Sequence, residues 1–332
     1  MPIKLMCAGD LMVGENVHHY HRGILTRFRG RYNDLISKQV RGIIQTSDIL
    51  LMNFESSLAP DNEIDTLTID RGVYVAPIET LDLLKGVNTR VVVSIANNHF
   101  GQHGIDAANY TIEKLEENGI GVAGKDNQPL IIEQDGYRLM FYAVSLVSDK
   151  YYDGAYFKSD YTNLINDLNF TEKQPDEIRI LSIHWGEEYY TLANEAQKKL
   201  AFQLNKAGID YIIGHHPHVV QPVGKIENTK VCYSHGNFIF DQNFSGLTQK
   251  GLVSMFSIPE GETKLYLSQQ KDFRLVQLSQ ISEKELYEYC QSNYSKRKPL
   301  IMRIKMKLEL IYRFYELNGA IIKKFSSKLF KA

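Results

Sequence analysis

Five short apolar runs in this chain break off in residues that can hold a metal ion, and that recurrence limits the possible folds more than any other feature. Ile3 to Ala8 ends in Gly9-Asp10, Ile49 to Met52 in Asn53-Phe54-Glu55, and Val91 to Ile95 in Ala96-Asn97-Asn98-His99. Ile178 to Ile183 ends in His184-Trp185-Gly186, and Ile209 to Ile213 in Gly214-His215-His216-Pro217-His218. Runs of this length and apolarity read as buried strands. In an open α/β sheet, ligands collect beyond the carboxyl ends of the strands. Asp, Glu, Asn and His delivered to one such edge, with no thiolate among them, are the donors of a divalent site for Zn, Mn or Fe. A lone His after a strand is usually a hydrogen-bonded core residue; five coincidences at one kind of position argue for a site.

The segments between these runs supply the rest of an α/β fold. Leu35, Ile36, Val40, Ile43 and Ile44 have helical spacing, as do Ile105, Ala108, Ile112 and Leu115, which stop at Asn118-Gly119. Strand and helix thus alternate, which calls for right-handed crossovers. Residues 11–31 form a polar loop whose His18, His19 and His21 are either further ligands or solvated. Gly119 to Lys125 matches a dinucleotide fingerprint by letter, but it follows a helix rather than a strand, so no dinucleotide site is expected. Asp135-Gly136 between two apolar runs marks a hairpin. Tyr151 to Gln174 is an excursion with one helix that can wall a cleft, and Leu192 to Ala207 is an amphipathic helix. A second hairpin, 219–234, exits through His235 to Asp241 toward the same edge, and antiparallel strands close the core near residue 278.

At 332 residues, 43% hydrophobic and 23% charged, the chain has the composition of a globular protein. Its net charge of -1 hides an asymmetry, because residues 296–332 hold eleven Lys or Arg against two Glu. Residues 1–278 are read as the core domain and 279–332 as a basic helical extension. In that extension Ile301, Ile304, Leu308, Ile311, Tyr315, Asn318, Ile322, Phe325 and Leu329 trace a heptad-like seam. The seam packs on the body, pairs between subunits or touches an anionic membrane. Nucleic acid is not expected as a partner, since the basic charge is not set among base-stacking elements. Cys7, Cys232 and Cys290 are odd in number and scattered, which implies no disulfide framework. A first strand starting at Ile3 leaves no room for a leader, and no run reaches the roughly 18 apolar residues of a membrane span. The expected location is cytoplasmic, with peripheral attachment at the inner membrane face as the alternative.

The chain resembles the CapA family of poly-γ-glutamate and capsule biosynthesis proteins, which are related to calcineurin-like metallophosphatases. The resemblance rests on Gly9-Asp10-Leu11-Met12, Asn53-Phe54-Glu55, Ser94 to His99, His184 to Tyr189, Gly214 to Pro222 and Tyr233 to Phe240, in family order over about residues 3 to 258. It implies a four-layer α/β/β/α sandwich with one or two divalent metal ions at the strand ends. By analogy, Asp10, Glu55 and His218 hold one ion, and Glu55, Asn98, His184 and His216 hold the second. His99 then faces the leaving group, while Trp185, Glu187, His215 and Asn237, in the same segments, are expected to contact substrate. Three positions depart from the pattern: Met12 stands where metallophosphatases have His, Gln102 where the family usually has Asp, and His235 where it usually has Leu. Asp106, one helical turn beyond Gln102, is the expected substitute for orienting His99.

Two functions remain open on this basis. One is a metal-dependent hydrolase or transferase acting on an ester or amide of a cell-surface polymer or its precursor. The other is a non-catalytic metal-binding component that assists membrane-bound synthesis or export machinery.

Overall fold

The structure, a computed structural model, describes residues 2–64, 73–259 and 261–312. Its strands are β1 (Ile3–Leu11), β2 (Ile49–Phe54), β3 (Ser57–Ala59), β4 (Val75–Pro77), β5 (Arg90–Ser94), β6 (Gly121–Ala123), β7 (Leu130–Gln134) and β8 (Tyr137–Ser145). They continue as β9 (Glu177–His184), β10 (Tyr211–His215), β11 (Val223–Ile226), β12 (Thr229–Cys232), β13 (Asn237–Ile239), β14 (Lys250–Ile258), β15 (Thr263–Lys271) and β16 (Arg274–Ile281). One sheet has the order β16-β15-β14-β1-β2-β5-β6, with β13 also paired to β1. A second has the order β11-β12-β10-β9-β8-β7, and β3 pairs with β4 alone. All five runs that end in ligand-type residues are strands, but β1, β2 and β5 belong to the first sheet and β9 and β10 to the second. The expectation of a single sheet edge is therefore corrected: apolar runs reveal strands, not which strands pair.

Alternation along β9, β10 and β12 shows how the second sheet is buried. Ile180, Tyr211, Ile213 and Cys232 join the main apolar cluster, together with Leu5, Cys7, Leu252 and Phe256 of the first sheet. Leu181, Ile183, Ile212 and Val231 point the other way and pack with Leu200, Ala201 and Leu204 of the helix Glu195–Lys206. Strands covered on both faces lose the polar half of the usual alternation, so these runs read as continuous apolar stretches. Tyr211 and Phe256, with ring centroids 4.9 Å apart, mark the contact between the two sheets.

Local chemistry sets the remaining boundaries. The apolar spacing from Tyr32 to Ile44 is divided into a 3-10 turn, Tyr32–Leu35, and a helix, Lys38–Ile44. Ser37 makes the break: its hydroxyl caps the helix by accepting from the Val40 amide, and its own amide donates to Leu275 in β16. Asp135 and Gly136, both with positive φ, form the two-residue turn between β7 and β8. The chain extends its first sheet through β16 to Ile281, across the expected boundary at 278. The following helix, Glu283–Asn293, starts in a Ser282–Glu285 capping box and buries Leu286 and Cys290 in the main cluster.

Residues 298–312 are helical, and their packing differs from the expected seam. Met302 and Met306 dock against Tyr189, Val219, Phe244 and Leu247. Ile301, Ile304, Leu308 and Ile311 face solvent instead. Unbranched, polarizable Met side chains fill an irregular surface that the regular Ile/Leu spacing does not match. Tyr315, Asn318, Ile322, Phe325 and Leu329 lie outside the described residues.

Candidate metal centre

Asp10 is fixed before its carboxylate meets anything. Its amide donates to the Gly236 carbonyl at 2.9 Å, which brings β1 against the segment entering β13. A Cβ at Gly9 would lie 1.9 Å from the Gly236 oxygen, so only glycine permits this approach. Asn53, opposite Asp10 in β2, donates one amide group to both carboxylates: Nδ2 lies 2.9 Å from Asp10 Oδ1 and 3.1 Å from Glu55 Oε2. Asn97 holds that amide by donating to Asn53 Oδ1 at 3.0 Å. Glu55 follows β2 directly, and its amide donates to the Leu11 carbonyl.

Imidazoles arrive from the second sheet. His184 ends β9, with Nε2 2.9 Å from Asn98 Oδ1. His215 ends β10, with Nδ1 3.0 Å from Asp10 Oδ1. The chain then turns through His216 at φ 95° and His218 at φ 55°, both in the left-handed region around Pro217. Each such residue costs on the order of 1–3 kcal/mol and persists only where its surroundings enforce it. The turn aims both rings inward: His216 lies 4.8 Å from the His184 ring centroid, and His218 Nε2 is 3.8 Å from Glu55 Oε1. Asp10, Glu55 and His184 each offer a ligand atom within 4.8 Å of the others, so this buried group can hold a metal ion.

The donor set fits a cation. Asp10 Oδ2, Glu55 Oε1, His215 Nε2 and His216 Nδ1 are buried without a hydrogen-bond partner. Each such atom carries a desolvation cost of about 1–3 kcal/mol, more when charged, which a shared ion would relieve for the two carboxylates and His216, whereas His215 faces Asp10 through its other nitrogen. Burial pushes His184 well below its ordinary pKa and His216 down to about 3, leaving both imidazoles neutral as ligands must be. Glu55 is raised by burial and then by Asp10, whereas the His215 hydrogen bond and the nearby His218 ring, its Nδ1 3.4 Å from Asp10 Oδ2, overcome burial and hold Asp10 low. Burial opposes charge on His218 too, but Glu55 and Asp10 outweigh it and lift the ring to about 9.

The model of the bacterial capsule synthesis protein PGA_cap family matches residues 4–242. The chain belongs to that family. It is 28% identical over 258 residues to the PGA biosynthesis protein CapA of Bacillus subtilis, covering 74% of this chain and 65% of that protein. It is 26% identical over 266 residues to the capsule biosynthesis protein CapA of Bacillus anthracis, covering 76% and 63%. A probable polyglutamine synthesis accessory protein of Mycobacterium tuberculosis is 23% identical over 217 residues, covering 59% and 56%. The chain thus spans less than two thirds of the length of these curated relatives. A solved structure, that of TT1561 from Thermus thermophilus, superposes with a TM-score of 0.47 at 8% identity, covering 80% of this chain and 98% of that one.

Around this PGA_cap centre the other expected site residues take varied places. His99 Nε2 lies 3.9 Å from Glu55 Oε1, with a fifth of the side chain exposed. Its ring stacks on Tyr74 with centroids 3.8 Å apart, and burial, partly offset by the hydrogen bond with Gln102, pushes it down to about 4. Gln102 Oε1 is the group that meets His99 Nδ1, at 3.0 Å, while Asp106 is exposed in the first turn of the helix Ile105–Glu117. Trp185 is buried in the second apolar cluster, its indole donating to the Tyr233 carbonyl. His215 sits behind Asp10, and Asn237 Oδ1 lies 2.9 Å from His218 Nδ1, orienting that ring. Glu187 is exposed beside Asn194. Its neighbour Glu188 bears electrostatically on Glu55, His218, Tyr74 and Tyr189, so the second of the two glutamates is the one felt at the centre. Met12 is fully buried. His19 packs edge-on to Phe273 and His21 lies against Tyr20, so these loop histidines have aromatic neighbours of their own.

Sequence reading left Asn53, Asn97, Tyr74 and Glu188 without roles. Asn53, Asn97 and Glu188 stand within or beside the motif segments, so position gave a signal although residue type did not. Tyr74 had none, because its place depends on β3 and β4 pairing.

Proposed function

We propose that the chain is a metal-dependent hydrolase or transferase acting on an ester or amide bond of a capsule polysaccharide, poly-γ-glutamate or a precursor of such a polymer. The observation carrying this reading is the buried convergence of Asp10 and Glu55, each with a partnerless oxygen, on His184, His216 and His218 beside His99. The names of the Bacillus relatives supply the polymer class. The α/β/β/α layering of metallophosphatases agrees with the two apolar clusters on either side of the second sheet.

Under this reading Asp10, Glu55 and His218 would hold one ion, and Glu55, Asn98, His184 and His216 a second. Ions so held would lower the pKa of bound water and polarise the attacked group. The chain's own residues do the positioning. Tyr74 and Gln102 clamp the His99 ring from its face and from Nδ1, so Nε2, on the side of Glu55 and unprotonated at rest, is the atom that would take up the proton released by the attacking water and pass it to the departing oxygen or nitrogen. A cleft of about 640 Å³, lined by Gln102, His103, Val75, Leu58 and Tyr110, opens next to that clamp and suits a flanking stretch of polymer.

The alternative, a metal-binding assembly component without turnover, is favoured by one observation: Met12 fills the place of a ligand in related metallophosphatases. Incubating the Mn- or Zn-loaded chain with poly-γ-glutamate and capsule polymer, and counting new chain ends by mass spectrometry, separates the two. New ends that vanish in His99→Ala support the enzyme; a metal-loaded chain that makes none supports the assembly role.

A further inference from the structure

The helix at residues 298–312 has two unlike apolar faces. Its inner face, Met302 and Met306, is docked on the body, with the Tyr189 hydroxyl 3.1 Å from Met306 Sδ. Its outer face carries Leu300, Ile301, Ile304, Leu308 and Ile311, each between 47% and 65% exposed. At about 100° per residue these five side chains fall within a stripe roughly 100° wide on the side opposite Met302. Arg303 and Lys307 border the stripe on one side and Lys305 on the other, while Lys298 Nζ donates to the Asn293 carbonyl at 2.8 Å. An exposed apolar stripe of this size on a docked helix marks an interaction surface.

We propose that this stripe seats on an anionic membrane surface. The charge pattern selects that occupant. Residues 296–312 hold six Lys or Arg and a single Glu309, so two copies paired along the stripe would bring like charges together. Anionic headgroups instead meet the bordering cations while the five apolar side chains enter the acyl boundary, and both contributions are favourable. The inner face of the same helix touches Tyr189, whose ring lies 6.3 Å from that of His218. A seated helix therefore holds the candidate metal centre beside the bilayer surface, within reach of polymer or precursor emerging from a membrane-bound system. The membrane contact does not require the centre to be catalytic, so it can fail independently of the proposed activity.

The test is co-sedimentation of the full chain with mixed phosphatidylglycerol–phosphatidylcholine vesicles and with pure phosphatidylcholine vesicles. Binding is expected to the mixed vesicles only, and to weaken as salt is raised well above 0.1 M, where the screening length is about 10 Å. The double variant Ile304→Asp, Leu308→Asp is expected to lose at least about tenfold in vesicle affinity, because two aliphatic side chains that would enter the acyl boundary are replaced by charges. Both positions are solvent-facing, so its melting temperature and metal content should match the unaltered protein. Failure to bind either vesicle, equal binding to both, or undiminished binding by the variant overturns the proposal. So does a dimer in solution that the double variant dissolves, which would assign the stripe to a second copy.

Discussion

His235 gives a stability prediction that depends on neither metal nor substrate. Its side chain is fully buried between Ser254, whose hydroxyl is 2.9 Å from Nε2, and the His215 ring, and its Nδ1 has no partner. Burial, followed by the neighbouring His215, pushes it down to about 3. In the unfolded chain the same group titrates near its ordinary value of about 6.5. As pH falls through 6.5 the unfolded state takes up a proton that the folded state refuses, so stability falls until the folded pKa is reached. At about pH 5 this linkage costs roughly 1.4 kcal/mol for each of 1.5 pH units, or about 2 kcal/mol, while at about pH 7.5 it costs almost nothing. His235→Leu, of similar volume, removes the linkage. Its stability relative to the unaltered chain should therefore rise by about 2 kcal/mol between pH 7.5 and pH 5, whatever constant offset the lost Ser254 contact adds. Urea unfolding of both proteins at the two pH values measures this difference. An offset equal at both would show that His235 titrates normally in the folded state and would refute the burial argument.

Other predictions concern the centre itself. His216→Ala should strip most of the bound divalent metal from protein purified without chelators, as read by mass spectrometry; unchanged stoichiometry would remove His216 from the ligand set. Asn53→Ala deletes the amide shared by Asp10 and Glu55 and should weaken metal affinity by about 10- to 100-fold, measured by competition with a fluorescent chelator. His99→Ala should keep metal and fold while turnover drops about 10²-fold or more, and joint loss of metal would make His99 a ligand instead. Titration of metal-free protein should reveal one tight divalent site per chain, with a second filled only when phosphate or a carboxylate is added; two equally tight sites without an anion would contradict this.

The sequence made the strands legible because both faces of the central strands are covered, which turns them into uninterrupted apolar runs ending abruptly in polar residues. It also exposed the Asp135-Gly136 hairpin and the 3.6-residue spacing of the helix Ile105–Glu117. What it could not disclose was pairing. β1 lies beside β13 and β14 from the far end of the chain, and nothing local to Ile3–Leu11 announces those partners. The helix at 298–312 shows the same limit differently. Its regular Ile/Leu seam is the stronger pattern, yet the two Met side chains make the contact, because fit to the surface around Tyr189 decides docking and sequence spacing does not describe that surface.

The candidate metal centre was legible in its residue types but not in its charge, and charge governs how many ions such a group can keep. Asp10 and Glu55 supply two formal negative charges, while burial keeps His184 and His216 neutral. The supports around them are mostly amides: Asn53 between the carboxylates, Asn97 behind it, Asn98 on His184, Gln102 on His99 and Asn237 on His218. Amides fix geometry without adding charge. One divalent ion held there would balance the two carboxylates and offset their pull on the His218 ring, whose pKa Glu188 also raises. A second ion would leave the buried site with two excess positive charges, and the energy of unbalanced charge rises steeply as the local dielectric falls. Met12, buried close to Asp10 in sequence, carries no charge to offset that excess. An anionic group would offset it, so a carboxylate or phosphate on a bound ligand is expected to raise the occupancy of a second position.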